Sequence, residues 1–224
     1  MKPERNVPLF RMFLSFILAT TIFTIIILIS SGASYYNYQR ISSQNNIVTK
    51  YLNDMDILLN MSTSDCGEDI LVKSSIILDE VGGKLDLLEK RFGKKDSRVL
   101  EQKKLYSQLE LKHFNIIKQI KKQCNEDYIT ILFFYSNNEP LNEESERMGF
   151  ILRTFKDKMS DKIMIYSFDY NLNSELIINL KENYNITSAP IAVINEQDKI
   201  YVKNIEDLTP YLKPKLSPYV IRLN

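Results

Sequence analysis

From Met12 to Ser31 the chain reads MFLSFILATTIFTIIILISS, about 20 residues without a charge. At 1.5 Å of rise per residue, a helix of that length spans roughly 30 Å, the thickness of a hydrocarbon core. The spacing predicts a transmembrane helix over residues 12–33, preceded by a short N-terminal segment, 1–11. The competing reading is a cleaved secretory signal. Lys2, Arg5 and Arg11 supply a basic leader, and Ser31 and Ala33 are small residues where a cleavage site wants them. Signal apolar regions run about 7 to 15 residues, shorter than this one, which favours an uncleaved anchor. Only Arg40 and Lys50 follow within the next twenty positions. The positive-inside rule therefore puts the N-terminus in the cytoplasm and everything after Tyr35 outside it, as a single-pass protein of the cell membrane. Tyr35, Tyr36 and Tyr38 then fall at the outer interface, where amphipathic rings are favoured.

The chain carries 29 Lys and Arg against 28 Asp and Glu, with the two signs interleaved along helical stretches. No basic stripe is dense enough to follow a phosphate backbone, so nucleic acid is excluded as a partner. There is no HExxH and no Gly-rich phosphate loop, and with six glycines in the whole chain a nucleotide cradle is not expected. No cofactor follows from the residues. His113 is the single histidine. A metal site needs several convergent ligands, so His113 reads as a surface or packing residue and no metal is expected.

After the apolar segment, Ile41, Val48, Leu52, Met55 and Leu59 form a helical stripe that continues out of the membrane. Leu71, Leu78, Val81, Leu85, Leu88 and Phe92 form a second, and Leu105, Leu109, Ile116 and Ile120 a third, with Gly93-Lys94-Lys95 as the turn between the last two. Residues 34–125 thus read as an external helical stalk containing a hairpin, and its stripes leave room for a homo-oligomer. Gly82-Gly83 marks a kink or a break in the first hairpin helix. Folding the hairpin brings Cys66 and Cys124, the only two cysteines, to its open end within bridging reach. Outside the cytoplasm that pair would persist as a disulfide. Its loop of about 60 residues is worth roughly 4 kcal/mol in the chain-entropy model. Asn60-Met61-Ser62 and Asn185-Ile186-Thr187 match the N-glycosylation pattern.

The helical period stops at Asn125-Glu126-Asp127. Residues 128–135, YITILFFY, are a β-branched and aromatic run, as expected of a strand buried on both faces. A helix over 142–159, a strand over 162–168, a helix over 174–184, strands over 191–195 and 199–202 and a helix over 205–212 follow. This βαβαββα order predicts an α/β domain over 126–213, with parallel strands joined by helices and then an antiparallel hairpin. A Pro-punctuated tail, 214–224, ends the chain.

Between the second helix and the third strand of this domain, Tyr184, Ile186, Ser188 and Pro190 fit a Tyr-x-Ile-x-Ser-x-Pro segment leading into a strand. With the element order, this resembles the thioredoxin-like superfamily over roughly 128–212. The resemblance implies a cis bond before Pro190, beside the family's redox site, and an edge formed by Thr187, Ser188, Ala189 and Pro190 that pairs with extended peptide. The chain departs from the family at the redox site itself. Ser136-Asn137-Asn138-Glu139-Pro140-Leu141-Asn142 stands where the thiols would be, and the family's buried acid is replaced by an apolar residue near Leu132 or Phe133. Thiol–disulfide exchange by this domain then has no nucleophile. Ser136 has no histidine base within the domain and reads as a turn residue. Glu139, Glu143, Glu144 and Glu146 are explained by the dipole of a helix start. The expectation is a membrane-anchored, redox-inactive thioredoxin-like domain that binds a peptide or protein client. Two alternatives stand beside it: an oxidoreductase helper cycling Cys66 and Cys124, and a structural cell-surface assembly protein.

Overall fold

A computed structural model describes residues 9–61, 68–159 and 162–210. The chain forms two compact units, Met1–Asn46 and Ile47–Asn224. In the first, helix α1 (Leu9–Met61) begins. Its segment Phe10–Gly32, 23 residues, is long and apolar enough to cross a membrane and buries nothing against protein. The hydroxyls of Ser15, Thr20, Thr21 and Thr24 within it are satisfied by the helix itself. Ser15, Thr21 and Thr24 donate to the carbonyls of Arg11, Ile17 and Thr20 at 2.8, 2.8 and 2.7 Å, as a segment without water around it requires.

The second unit contains the end of α1, α2 (Glu68–Phe92) and α3 (Ser97–Cys124). It continues with β1 (Ile129–Tyr135), α4 (Leu141–Met159), β2 (Ile163–Asp169), α5 (Glu175–Asn183), β3 (Ile191–Ile194), β4 (Asp198–Ile200) and a 3-10 turn at Ile205–Leu208. The strands form one mixed sheet in the order β2-β1-β3-β4. β1 runs parallel to β2 and antiparallel to β3, and β4 runs antiparallel to β3. β1 is central and covered on both faces, which is why its run of apolar residues is continuous and does not alternate.

Side chains of successive residues point to opposite faces. Ile129, Ile131 and Phe133 of β1, with Ile163 of β2 and Ala192 and Ile194 of β3, pack under Met148, Leu152 and Phe155 of α4. Leu132 and Phe134, with Tyr166, Phe168 and Val193, pack under Ile177 and Leu180 of α5 and Phe114 of α3. The sheet is the middle layer of three.

Phe114 places α3 within the sheet's own core. The opposite side of α3, through Leu109, Ile116 and Ile120, meets Val48, Met55 and Leu58 of α1 and Ile70 and Val81 of α2. The boundary expected at 125/126 is thus a change of secondary structure, where Asn125 ends α3 in the left-handed conformation at φ 53°. It is not a change of packing: the hairpin and the sheet share α3. Gly93, at φ +88°, makes the turn between α2 and α3, and Asp96 opens α3 by accepting from the Arg98 amide at 2.9 Å.

Three expectations differ in detail, one being the helix over 205–212, where Ile205–Leu208 is a 3-10 turn. α2 runs unbroken through Gly82-Gly83, and Gly82 serves as the seat of a tyrosine, described below. β4 ends at Ile200, leaving Val202 to turn into the α4-side core. Residues 62–67, with Cys66 and Ser62, and residues 211–224 lie outside the described residues.

Candidate functional site

The register brings the candidate peptide edge to the C-terminal end of β1. Because β3 is antiparallel to β1 with Ile191 opposite Phe134, Pro190 enters the sheet beside the loop that leaves Tyr135. The Ala189–Pro190 bond is cis, and so is Glu139–Pro140 in that neighbouring loop. Thr187 and Ser188 are exposed, whereas Ala189 and Pro190 are buried. Tyr170, just past β2, donates its hydroxyl to the Thr187 carbonyl at 3.1 Å. The backbone of Ser188 and Ala189 makes no hydrogen bond among the described residues.

Ser136, in the loop, is 1 % exposed. Its hydroxyl donates to Asn171 Oδ1 at 2.6 Å and accepts from the Asn138 amide at 3.1 Å, and its own amide donates to Ser145 Oγ at 2.9 Å. With no base beside it, Ser136 is a satisfied turn residue. Glu143 and Glu144 lie in the first turn of α4, where the dipole favours them. Glu146 pairs instead with Lys94 at 2.6 Å.

A polar cluster that the apolar stripes did not reveal sits behind this loop. Lys103 of α3 is 2 % exposed. Its ammonium meets Glu89 of α2 at 2.9 Å and Asp169 of β2 at 3.3 Å. Asp169 also accepts from Asn137 Nδ2 at 2.8 Å and from the Asn171 amide at 3.0 Å. One buried cation therefore ties α2, α3 and β2 to the loop, and its charge is matched by two carboxylates, of which Asp169 is itself further hydrogen-bonded.

Next to this cluster lies a cleft of about 730 Å³ between the α2–α3 hairpin, α4 and the outer edge of β2. Glu110 of α3, 2 % exposed, lines it. Its Oε1 accepts from the Ser167 amide at 2.7 Å, capping a group that an edge strand would leave unpaired. Its Oε2 is buried with no partner among the described residues. Burial pushes the Glu110 carboxyl well above the usual range, opposed only by the Ser167 amide. Tyr106, one turn away on the same face, lines the cleft too. An added Cβ at Gly82 would lie 2.9 Å from the Tyr106 hydroxyl oxygen, so the glycine makes the seat for that ring tip.

His113 is 1 % exposed. Its Nδ1 lies 2.8 Å from the Tyr166 hydroxyl and its Nε2 3.0 Å from Ser75 Oγ. Burial, with the Lys156 charge as a smaller cause, lowers the ring to about 4. His113 is thus a packing residue with both nitrogens engaged. No group of three or more potential metal ligands occurs among the described residues.

Cys124, at the end of α3, is disulfide-bonded, and Cys66 lies outside the described residues. Of the sequon asparagines, Asn60 lies in α1, and Asn185 is exposed in the turn after α5 at φ 50°. No family model matches the chain, and no curated protein or solved structure is similar to it.

Proposed function

We propose that this protein is a redox-inactive, thioredoxin-like binding module, held outside the cytoplasm by its N-terminal helix, and that its client is an extended segment of peptide or protein. The strand order β2-β1-β3-β4, with β3 the antiparallel member beside β1, supports the thioredoxin-like reading, as does the place of Pro190 at the entry to β3. The observation that carries the binding role is the Ser188-Ala189 backbone. It lies at the end of a rigid sheet, exposed at Ser188, with its polar groups unused among the described residues. Such backbone gives affinity to an extended chain by main-chain pairing and leaves specificity to neighbouring side chains. The loop 136–140 offers Ser, Asn and Glu where exchange chemistry would need thiols.

The test is binding of an arrayed peptide library to the full-length chain in nanodiscs. Ser188→Ala keeps the amide and should keep the bound set, whereas Ser188→Pro removes the donor and should lose it. A library that yields no bound peptide, or one bound equally by Ser188→Pro, overturns the proposal.

A further inference from the structure

The cleft beside β2 is separate from the Ser188-Ala189 edge, and nothing in the peptide-binding role uses it. Its floor has an unusual composition. Phe133, Leu152 and Ile165 give it an apolar stretch of wall beside charged side chains that include Lys94, Arg153 and Lys156, and two polar side chains line it from successive turns of α3. The first is Glu110, whose Oε2 is buried without a partner among the described residues. The second is Tyr106, whose hydroxyl makes no hydrogen bond among the described residues.

Two ligand chemistries suit a lone carboxyl oxygen. An ionised carboxyl calls for a cation, and a neutral one for a hydrogen-bond acceptor. The geometry favours the second. Lys103, the buried cation of this region, is already engaged by Glu89 and Asp169. An ionised Glu110 would then hold one oxygen out of water with nothing to compensate it, a cost that a buried group avoids by keeping its proton. A protonated carboxyl has one O–H to donate, and no acceptor for it occurs among the described residues. Tyr106 adds a second O–H on the same helix face. Paired hydroxyl donors beside an apolar stretch of wall are an arrangement suited to a carbonyl or oxyanion oxygen.

We propose that this cleft binds a small molecule that sets a carbonyl or oxyanion oxygen beside an apolar group, with Glu110 and Tyr106 as its two hydrogen-bond donors. The volume of about 730 Å³ lies within the range of small-molecule sites. Ser167 orients the donor by holding Oε1, and Gly82 leaves space for the Tyr106 hydroxyl.

The experiment uses the full-length chain in nanodiscs, with empty nanodiscs as the blank, and reads ¹⁹F line broadening of 4-fluorobenzamide and 4-fluorobenzylamine. The amide should show saturable broadening. Glu110→Gln keeps a donor and should stay within about threefold, whereas Glu110→Leu and Tyr106→Phe each remove one and should weaken binding by up to about tenfold. Should Glu110→Leu fail to fold by circular dichroism, Tyr106→Phe, which keeps the ring on its glycine seat, decides alone. The proposal is overturned if the amide gives no broadening beyond the blank, if Tyr106→Phe binds it as the parent does, or if the amine binds instead and is lost in Glu110→Gln.

Discussion

Acid should reach the core of this protein through His113. The ring titrates near 4 in the folded chain and near 6.5 when unfolded, because burial between Tyr166 and Ser75 penalises its charged form. A depressed histidine favours the fold fully above pH 6.5, and that contribution is lost as pH falls towards 4, since the unfolded chain takes up the proton first. Each pH unit crossed is worth about 1.4 kcal/mol, so the full window amounts to about 3 kcal/mol and the fall from pH 7 to 4.5 to about 2 kcal/mol. Glu110 works in the opposite sense. Its raised carboxyl contributes stability below the usual carboxylate range and loses it as pH rises. The parent's own pH curve is therefore a sum of opposing parts, and the difference between parent and His113→Gln isolates the ring. Glutamine retains a donor and an acceptor for Tyr166 and Ser75 but does not titrate. Urea unfolding of both chains in non-ionic detergent, followed by circular dichroism at pH 7 and 4.5, gives the comparison. The parent's advantage should shrink by about 2 kcal/mol at the lower pH. Curves that stay parallel within about 0.5 kcal/mol would refute the assignment of a buried neutral ring.

Lys103→Met leaves Asp169 and Glu89 without their shared cation and should cost about 3 to 5 kcal/mol by urea unfolding; a loss under about 1 kcal/mol would show that water reaches the cluster. Phe114→Ala removes a side chain 2 % exposed and should cost about 3 to 5 kcal/mol in a single transition. A separate early transition confined to the helices would show that α3 does not share the sheet's core. Gly83→Ala meets nothing within 4 Å and should raise stability by about 1 kcal/mol through helix propensity. Gly82→Ala should fall short of that gain because its methyl crowds Tyr106, and equal gains would remove the glycine's role as a seat.

How far the residues alone foretold this structure follows from which signal each element carries. β1 was legible because a central strand buried on both faces is an unbroken apolar run, and α4, β2, α5 and β3 fell within a residue or so of their expected bounds because each changes period at Asn, Ser or Glu punctuation. Pro190 was legible from its place before a strand. α3 was misread in its surroundings. Its apolar stripe, Leu109, Ile116 and Ile120, marked one buried side, while Lys103, Tyr106, Glu110 and His113, three and four apart on another, carry no apolar period to mark a second. Lys103, Glu110 and His113 are buried and Tyr106 partly so because the helix is covered from both sides, and single-helix periodicity cannot tell a wet polar stripe from one that supplies a second interface. Asp169 and Asn137 were missed for another reason. They are partners brought in from other strands and loops, and pairing across 66 and 32 residues leaves no local mark.

The most direct test of the peptide-binding role is hydrogen–deuterium exchange at the Ser188 and Ala189 amides of the full-length chain, alone and with a peptide selected from the library. The account predicts fast exchange at both amides in the free chain and strong protection on binding, with the interior amides of β1 slow throughout. Amides already protected in the free chain, or unchanged by bound peptide, would contradict it.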